Sequence, residues 1–378
     1  MSDFSVKGWC PGAYRPMQSG DGLIVRIRPR LARLSADQVL GLCDAAMTHA
    51  SGIIDLTNRA NLQLRGVRDQ AHDALLAQLD ALGLLDVSQA LEARRNILTA
   101  PMWAHADDTH ALTLKLISRL NELPDLPAKF GFAVDAGDAP VLANASADIR
   151  IERAQTGGLI VRADGAETGR MTNRSKAIND VITLAHWFAT TRAPDTKRMA
   201  KHLRTTALQD SWQGTAPAFA AANDNNATMV PGPSPKGLIL GAAFGSIPAQ
   251  TLARAITDSN ATGLILTPWR LFILEGVFSA FDHGFITDPN DPLLTTDACP
   301  GAPFCGSSTV DTRQIASALK TPNLHVSGCT KGCARPRPSP LTLVGNHGRF
   351  DLVADGCSWD EPTARGLTPD ELLKGHDL

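Results

Sequence analysis

Four cysteines late in the chain have a spacing that could hold an iron–sulfur cluster. Cys299 and Cys305 form a C-x5-C pair, Cys329 and Cys333 form a C-x3-C pair, and 23 residues separate the two pairs. Structural zinc sites commonly use close cysteine pairs whose partners often include histidine. A [4Fe–4S] cubane is larger than a zinc ion, so its four thiolates converge from wider spacings. The pattern therefore predicts a [4Fe–4S] cluster held by these four residues.

Small and cyclic residues surround these cysteines: Pro300, Gly301, Pro303, Gly328 and Gly332. They keep side chains away from the sulfides and leave backbone N–H groups free to donate to the cluster, which is one way its potential is tuned. Two alternatives stay open. The four cysteines could be buried and inert, or they could bind zinc.

The other three cysteines predict no chemistry. Cys43 lies on the apolar face of a predicted helix and is expected in the core, and Cys357 lies in a late polar stretch. Cys10-Pro-Gly12 repeats the Cys299-Pro-Gly301 tripeptide but has no partner cysteine nearby, so a turn is the simpler interpretation.

The bulk composition excludes several classes of protein. A chain of 378 residues is long enough for two or three domains, and 36 basic against 38 acidic residues give no general attraction to nucleic acid. The N-terminus lacks the apolar segment of a signal peptide, and no apolar run reaches the roughly 20 residues of a membrane helix. We therefore expect a cytoplasmic protein. In that reducing compartment, clustered cysteines favour metal binding over disulfides.

Two stretches of the chain share one order of elements. Short apolar runs bounded by glycine read as buried strands, and a helical segment separates the first run from the second in each copy. The strands are predicted at 22–26, 52–57 and 62–67, and again at 237–240, 263–267 and 272–277. The first helix should begin in the capping box of Ser35 and Gln38, the second near Pro248, and a further helix is expected within 68–84.

Each copy therefore reads as a β-α-β-β unit, and two copies predict a pseudo-twofold pair of α+β half-domains, unless the likeness is a coincidence. We expect Thr57 with Arg59, and Thr267 with Arg270, to occupy the same strand junction in the two copies. The predicted division of the chain is as follows: a first half-domain at 1–90, an α/β region at 91–205, a linker or mobile loop at 206–235, a second half-domain at 236–292, and a cluster-binding region at 293–378.

At these residues the chain resembles the sulfite/nitrite reductase superfamily, and within it the precorrin-3B synthase family. The resemblance runs from about residue 8 to residue 360. The matching stretches are residues 9–12 (WCPG), 20–26 (GDGLIVR), 56–65 (LTNRANLQLR), 126–130 (LPAKF) and 325–333 (HVSGCTKGC). The resemblance implies an α+β fold of two duplicated ferredoxin-like half-domains with cluster-binding and tetrapyrrole-binding α/β regions.

The resemblance also assigns three basic residues to the binding of anionic groups. Arg59, Arg95 and Lys129 match two arginines and the first of two lysines in the superfamily. The second lysine would fall at position 131, where this chain has glycine. Because sulfite needs several convergent cations, its loss indicates a site adapted to another substrate. The chain is also short for a sirohaem reductase.

The family resemblance implies a monooxygenase that converts precorrin-3A to precorrin-3B with O2, placing a hydroxyl on a meso carbon and closing a γ-lactone. Such a flat, polycarboxylated substrate calls for cations at the rim of an apolar pocket. The candidates are Arg26, Arg59, Arg65, Arg95, Lys129, Arg270, Lys331 and Arg335. For each of them, the alternative is an ordinary solvated surface charge.

The resemblance further implies a mononuclear non-haem iron, whose ligands are not legible in the sequence. His105, Asp107 and His110 superficially suit such a site, but Asp107 or Asp108 more simply caps a helix that starts near Thr109. His325 could support a cluster ligand or simply end a strand. No dinucleotide or flavin motif is present, so electrons from NADH would arrive through a separate reductase or ferredoxin.

Two other functions stay open at this point. One is a sirohaem-dependent sulfite or nitrite reductase, which its absorption spectrum would distinguish. The other is a non-enzymatic cluster protein, such as an electron carrier or iron sensor. The arginine-bearing repeats argue against a carrier, because a carrier needs no basic tetrapyrrole pocket.

Overall fold

Four five-stranded sheets organise the protein in a computed structural model that describes residues 11–138, 140–218, 229–279 and 283–374. The first sheet and its surroundings come from the start of the chain. Its elements are β1 (Met17–Ser19), β2 (Gly22–Ile27), β3 (Arg33–Ser35), α1 (Ala36–His49), β4 (Ile53–Leu56), β5 (Leu62–Val67), α2 (His72–Ala81) and α3 (Gln89–Arg94).

The next part of the chain forms an α/β region with its own sheet. Its elements are β6 (Ile97–Thr99), α4 (Asp108–Ser118), β7 (Phe132–Asp135), β8 (Ile149–Arg153), β9 (Leu159–Ala163), β10 (Arg170–Thr172), α5 (Ala177–Thr191) and α6 (Met199–His202). Strands β6, β7 and β8 run parallel, and β9 and β10 continue the sheet antiparallel.

The second half of the chain repeats this plan. The second half-domain contains β11 (Gly232–Ser234), β12 (Gly237–Gly241), β13 (Ser246–Pro248), α7 (Ala249–Ser259), β14 (Gly263–Leu266) and β15 (Leu271–Glu275). The last region contains β16 (Asp297–Ala298), α8 (Thr312–Leu319), β17 (Leu324–Ser327), β18 (Ser339–Asn346), β19 (Arg349–Gly356), β20 (Ala364–Leu367) and α9 (Pro369–Leu373).

The predicted β-α-β-β units form as expected, with the predicted helix starts. Ser35 Oγ accepts from Gln38 N at 3.3 Å, and Gln38 Oε1 accepts from Ser35 N at 3.0 Å, so the capping box before α1 is present. Pro248 is the N-cap of α7. The helix predicted within 68–84 is α2, and Cys43 is fully buried on α1.

The two half-domains exchange one strand each. The first sheet has the order β1-β2-β5-β4-β13, and the second has the order β11-β12-β15-β14-β3. Strand β13 of the second copy pairs with β4, opposing Ile247 to Ile54, while β3 of the first copy pairs with β14, opposing Leu34 to Leu264. The exchange is reciprocal, so the repeat read from the sequence is a structural pseudo-twofold pair.

The two strand junctions align differently from the sequence-based expectation. The hydroxyls of Thr57 and Thr267 accept from the backbone N–H of Arg59 and Trp269, respectively, and the next residues, Ala60 and Arg270, both have a positive φ. Arg59 therefore corresponds to Trp269, and Arg270 corresponds to Ala60. The two arginines are offset by one position, because the geometry of the turn determines where the residue with positive φ lies, whether or not that residue is the arginine.

The two α/β regions are also copies of one arrangement. The sheet orders are β10-β9-β8-β7-β6 and β16-β17-β18-β19-β20, with three parallel strands followed by two antiparallel strands in each case. Helices α4 and α8 take corresponding places between the first two strands of each region. The duplication therefore covers both the half-domain and the α/β region that follows it.

One hydrophobic core joins the two half-domains, and each α/β region has its own. In the predicted linker at 206–235, Trp212 is 3% exposed and packs in the core of the first α/β region, and β11 pairs with β12. Residues 219–228 of that segment lie outside the described residues. Among the helices that the structure describes, none has the length and apolarity to cross a membrane.

We expect Leu34→Ala to lower the free energy of unfolding by about 2–5 kcal/mol, because its fully buried side chain lies on exchanged strand β3 within the shared core. Leu40→Ala on α1 is the matched control, since Leu40 is 36% exposed and should change this free energy by less than about 1 kcal/mol. Urea titration followed by circular dichroism measures both. Equal losses in the two variants would contradict the role of the exchanged strand.

Candidate functional site

The four late cysteines lie on two connections at one edge of the last sheet. Cys299 and Cys305 lie between β16 and α8, and Cys329 and Cys333 lie after β17. Because β16 and β17 run parallel and are neighbours, their carboxyl ends open on the same edge of the sheet. The fold therefore brings together two cysteine pairs that are distant in sequence.

The four thiols share one electrostatic environment. Desolvation raises the pKa of the Cys333 thiol first, charges on Cys329, Cys299 and Cys305 raise it further, and Lys331 lowers it. Across the described ranges, no group of three or more His, Cys, Asp or Glu side chains is gathered as a single metal ion would need. The fold therefore places four sulfur donors in one neighbourhood.

Glycines in these connections occupy places where a side chain would collide. A Cβ at Gly328 would collide with Ser308 Oγ and lie 3.5 Å from Cys299 Sγ, and Gly328 N donates to that sulfur at 3.2 Å. Gly332 has φ +60°, and a Cβ there would lie 2.6 Å from Ser358 Oγ. The loops therefore approach the sulfurs through backbone, as expected for ligands of a bulky group.

The first half-domain holds the cysteine loop in place. Arg65 Nη2 donates to Phe304 O at 3.2 Å, to Ser19 Oγ at 3.0 Å and to Asp21 Oδ1 at 3.3 Å. A Cβ at Gly20 would lie 2.5 Å from Gly306 N, so the β1–β2 turn touches the loop after Cys305. Arg65, predicted as a substrate contact, is 9% exposed and serves here as a clamp.

A cluster of arginines surrounds Asp297 beside the cysteines. Asp297 accepts from Arg270 and, at 2.9 Å, from Arg335 Nη1. Burial first, and then the charges of Arg335, Arg313 and Arg337, lower the pKa of Arg270 to about 10. Among the described residues of this cluster, four arginines therefore outnumber the two carboxylates that pair with them, Asp297 and Asp55.

His325 lies at this cluster and is fully buried on β17. Neither ring nitrogen has a hydrogen-bond partner in the described part of the chain. Burial first, and then the charges of Arg335 and Arg270, lower its pKa to about 4. His325 is therefore a neutral imidazole at neutral pH, within β17 rather than at its end.

A second basic group forms where the first half-domain meets the first α/β region. Arg59 Nη2 donates to Lys129 O at 3.0 Å and to Ser146 Oγ at 3.3 Å. Arg198 Nη2 donates to the same Ser146 hydroxyl at 3.2 Å. Lys129 itself is exposed. Two of the residues matched from the sequence, Arg59 and Lys129, therefore lie together.

The other residues predicted to contact the substrate differ in their hydrogen-bond partners and in their burial. Arg26 donates to Gln63 Oε1 at 2.7 Å, and Lys331 Nζ lies 3.4 Å from Ser307 Oγ. Arg95 is 6% exposed and is held by Asp86 through Nε and Nη2 at 2.8–3.0 Å. The buried ion pair with Asp86 gives Arg95 a structural role. Contact between the substrate and Arg26, Arg95 or Lys331 stays a prediction.

The sequence reasoning missed three basic residues of these groups: Arg198, Arg313 and Arg337. Arg313 on α8 donates to Ser246 Oγ at 2.8 Å and to Asp55 Oδ1 at 3.3 Å, which ties the cysteine region to the exchanged strand. None of these three arginines lies in a recognisable sequence motif, and only their tertiary contacts show that they belong to the basic groups.

The superficial iron site near residue 107 is a helix cap. Asp107 Oδ1 accepts from His110 N at 2.7 Å and α4 begins at the next residue, so the capping interpretation is correct. His110 Nδ1 accepts from Ala106 N at 3.2 Å. Within the described residues, His105, Asp107 and His110 are therefore not gathered as a metal site.

Comparisons with known proteins agree with this architecture. Residues 15–82 match the sequence profile of the nitrite/sulfite reductase ferredoxin-like half domain. The chain is 31% identical to the precorrin-3B synthase of a Sinorhizobium species, over 95% of this chain and 85% of that protein. It is 22% identical to the ferredoxin–nitrite reductase of Leptolyngbya laminosa, over 91% and 80% of the two chains. The Mycobacterium tuberculosis NirA structure superposes with a TM-score of 0.62 at 18% identity, covering 93% of this chain and 79% of that one.

We expect Arg65→Gln to loosen the loop that carries Cys305, because the substitution removes the guanidinium that donates to Phe304 O. Losing about 1 kcal/mol of local stability should speed backbone amide exchange there about fivefold. Hydrogen–deuterium exchange of peptides spanning 299–308 measures this effect. Arg68→Gln is the control, since exposed Arg68 donates to Thr48 O and not to this loop. Unchanged exchange in Arg65→Gln would exclude the clamp.

Proposed function

The chain belongs to the precorrin-3B synthase family within the nitrite/sulfite reductase superfamily, and we propose that it converts precorrin-3A to precorrin-3B as a monooxygenase. One oxygen atom of O2 enters the product as the meso hydroxyl, and a ring acetate closes the γ-lactone. The second oxygen atom leaves as water, with two electrons from an external donor and two protons. The reaction therefore needs a tetrapyrrole pocket, a route for single electrons and a source of both electrons.

The observation that carries this proposal is the similarity to a precorrin-3B synthase along 95% of the chain. Position 131 supports it from the structure. A Cβ there would lie 2.8 Å from Asn96 Nδ2 and 3.2 Å from Arg59 Nη1, so a second lysine would have to displace these two side chains. That arrangement favours a ligand other than the small anion that a sulfite or nitrite reductase reduces.

We propose that Cys299, Cys305, Cys329 and Cys333 hold a [4Fe–4S] cluster. The neighbouring sulfur donors, the glycines at 328 and 332 and the N–H donated to Cys299 Sγ support this assignment. When bound, such a cluster passes electrons one at a time. The chain's own residues then hold the loops: Arg65 fixes the Cys305 side and Arg313 fixes α8 against β4 and β13.

The basic groups would orient the substrate. Arginine pairs bidentately with carboxylates, and a tetrapyrrole carries these groups around an apolar ring. In this proposal Arg59 and Lys129 bind carboxylates on one side, and Arg270 and Arg335 do so near the cysteines. Asp297 would keep those two guanidinium groups oriented while the pocket is empty.

A mononuclear non-haem iron does not fit the described residues. A facial site needs two histidines and a carboxylate, and the described ranges gather no such group. His105 and His110 flank a helix cap instead. No step of the proposed reaction is therefore assigned to such an iron, and the electron donor is proposed to be a separate NADH-dependent reductase or ferredoxin.

Anaerobic purification followed by iron and sulfide analysis, and then incubation with precorrin-3A, O2 and a reducing system, tests the reaction. We expect a product heavier by one oxygen atom that incorporates label from 18O2 but not from H2 18O. Absorption bands of bound sirohaem, with reduction of sulfite or nitrite, would instead support the reductase. Cluster content without turnover of any of these substrates would support an electron carrier.

We expect Cys329→Ala to lose cluster iron and turnover together, because three cysteines remain for a four-thiolate cluster. Cys357→Ala is the matched control, since buried Cys357 lies in the same region but outside the four-thiol group. Iron per chain, acid-labile sulfide and the thermal midpoint separate cluster loss from unfolding. Full iron content in Cys329→Ala would overturn the ligand assignment.

A further inference from the structure

Position 131, where the expected lysine is missing, lies at one end of a chain of hydrogen bonds. Gly131 N donates to Asp148 Oδ2 at 3.0 Å, and Asp148 Oδ1 accepts from Arg198 Nε at 2.9 Å. Arg198 Nη2 donates to Ser146 Oγ, which also accepts from Arg59 Nη2. The guanidinium of Arg59 then returns to Gly131, 3.2 Å from where its Cβ would be. Arg198 is thus fixed beside the residue that departs from the superfamily pattern.

The anchor of Arg198 is rigid. Asp148 is fully buried, and it also accepts from Met199 N at 2.8 Å, the residue next to Arg198. Arg198 Nη2 additionally donates to Ala147 O at 3.0 Å. Three hydrogen bonds through Nε and Nη2 therefore set the plane of the guanidinium, and the bond from Met199 N holds the adjacent backbone, so little rotamer freedom remains to be lost when a ligand binds.

One donor edge of Arg198 stays open. Its side chain is 34% exposed, and Nη1 has no hydrogen-bond partner within the described ranges. Arg59 and Arg198 bring two guanidinium groups to this place beside the backbone of Lys129, and Asp148 pairs with Arg198. Two guanidinium groups that share one serine hydroxyl are close enough to bind the two oxygens of a single anion.

We propose that Arg198 binds a carboxylate of the tetrapyrrole substrate together with Arg59, and so supplies the cation that position 131 lacks. This inference rests on the proposed function, since it names the group that the substrate presents. Because Nε and Nη2 of Arg198 already donate to Asp148, Ser146 and Ala147, Arg198 would offer Nη1 to one carboxylate oxygen, and Arg59 would donate to the other.

Binding of uroporphyrin, a stable tetrapyrrole with an acetate and a propionate on every ring, tests the inference without turnover. We expect Arg198→Gln to weaken uroporphyrin binding about tenfold or more in a fluorescence titration of the purified holoprotein. Arg198→Lys should recover only part of this loss, because it keeps the charge and loses the fork. Lys201→Gln in α6, the helix that begins after Arg198, is the control and should change the Kd less than twofold, since exposed Lys201 pairs with Asp195.

A second pair of variants leaves the Asp148–Arg198 pair intact. Gly131→Lys should weaken uroporphyrin binding, because the new side chain displaces Arg59 and Asn96, and Gly131→Ala separates this crowding from the effect of added charge. In turnover assays with precorrin-3A, Arg198→Gln should raise KM and leave kcat close to the wild-type value.

The outcomes separate this inference from the proposed function. Unchanged uroporphyrin affinity in Arg198→Gln, with wild-type turnover of precorrin-3A intact, would overturn the role of Arg198 alone. Loss of nitrite or sulfite binding in Arg198→Gln, with uroporphyrin unaffected, would assign the site to a small oxyanion and also overturn it. Wild-type protein that binds uroporphyrin as expected but never oxidises precorrin-3A would contradict the function and leave the carboxylate site in place.

Discussion

The reciprocal exchange of strands β3 and β13 is the constraint on which the other features depend. Each half-domain completes its five-stranded sheet only with a strand from the other copy, so the two share one hydrophobic core. That shared core fixes where the β4–β5 and β14–β15 turns lie. Arg59 leaves one turn toward the first α/β region, and Arg270 leaves the other toward the cysteines. A slip of either exchanged strand would misplace both basic groups at once.

The two α/β regions share one arrangement of strands and differ in the side chains that their loops carry. Both have three parallel strands followed by two antiparallel strands, with a helix after the first strand. In the second copy, the connections after β16 and β17 carry the four cysteines. In the first copy, the corresponding connection after β6 ends in the Asp107 helix cap, and cations gather at the other end of β7 and β8. Duplication therefore supplied the scaffold, and the loops supplied the difference.

The arginines discussed above fall into two groups according to their hydrogen-bond partners. Arg95 is buried against Asp86, and Arg65 and Arg313 join elements that are distant in sequence, so their charges serve to hold the structure. Arg198 is anchored on one side and open on the other, and Arg270 and Arg335 share Asp297 near buried His325. A guanidinium has five donors, so the same residue can be fixed by the protein and still offer an edge to a ligand.

The sequence by itself determined the strands of the two repeats, the capped start of α1, a helix cap at Asp107 or Asp108 and the grouping of the four late cysteines. Those features depend on local periodicity, capping chemistry and motif spacing, all of which a linear chain displays. Only the tertiary structure decided the strand exchange, the one-residue offset between Arg59 and Arg270, the pairing of Arg95 with Asp86, and the place of Arg198 beside Gly131. Each of these is a contact between residues far apart in sequence, and residue type alone does not specify which buried partner an arginine meets.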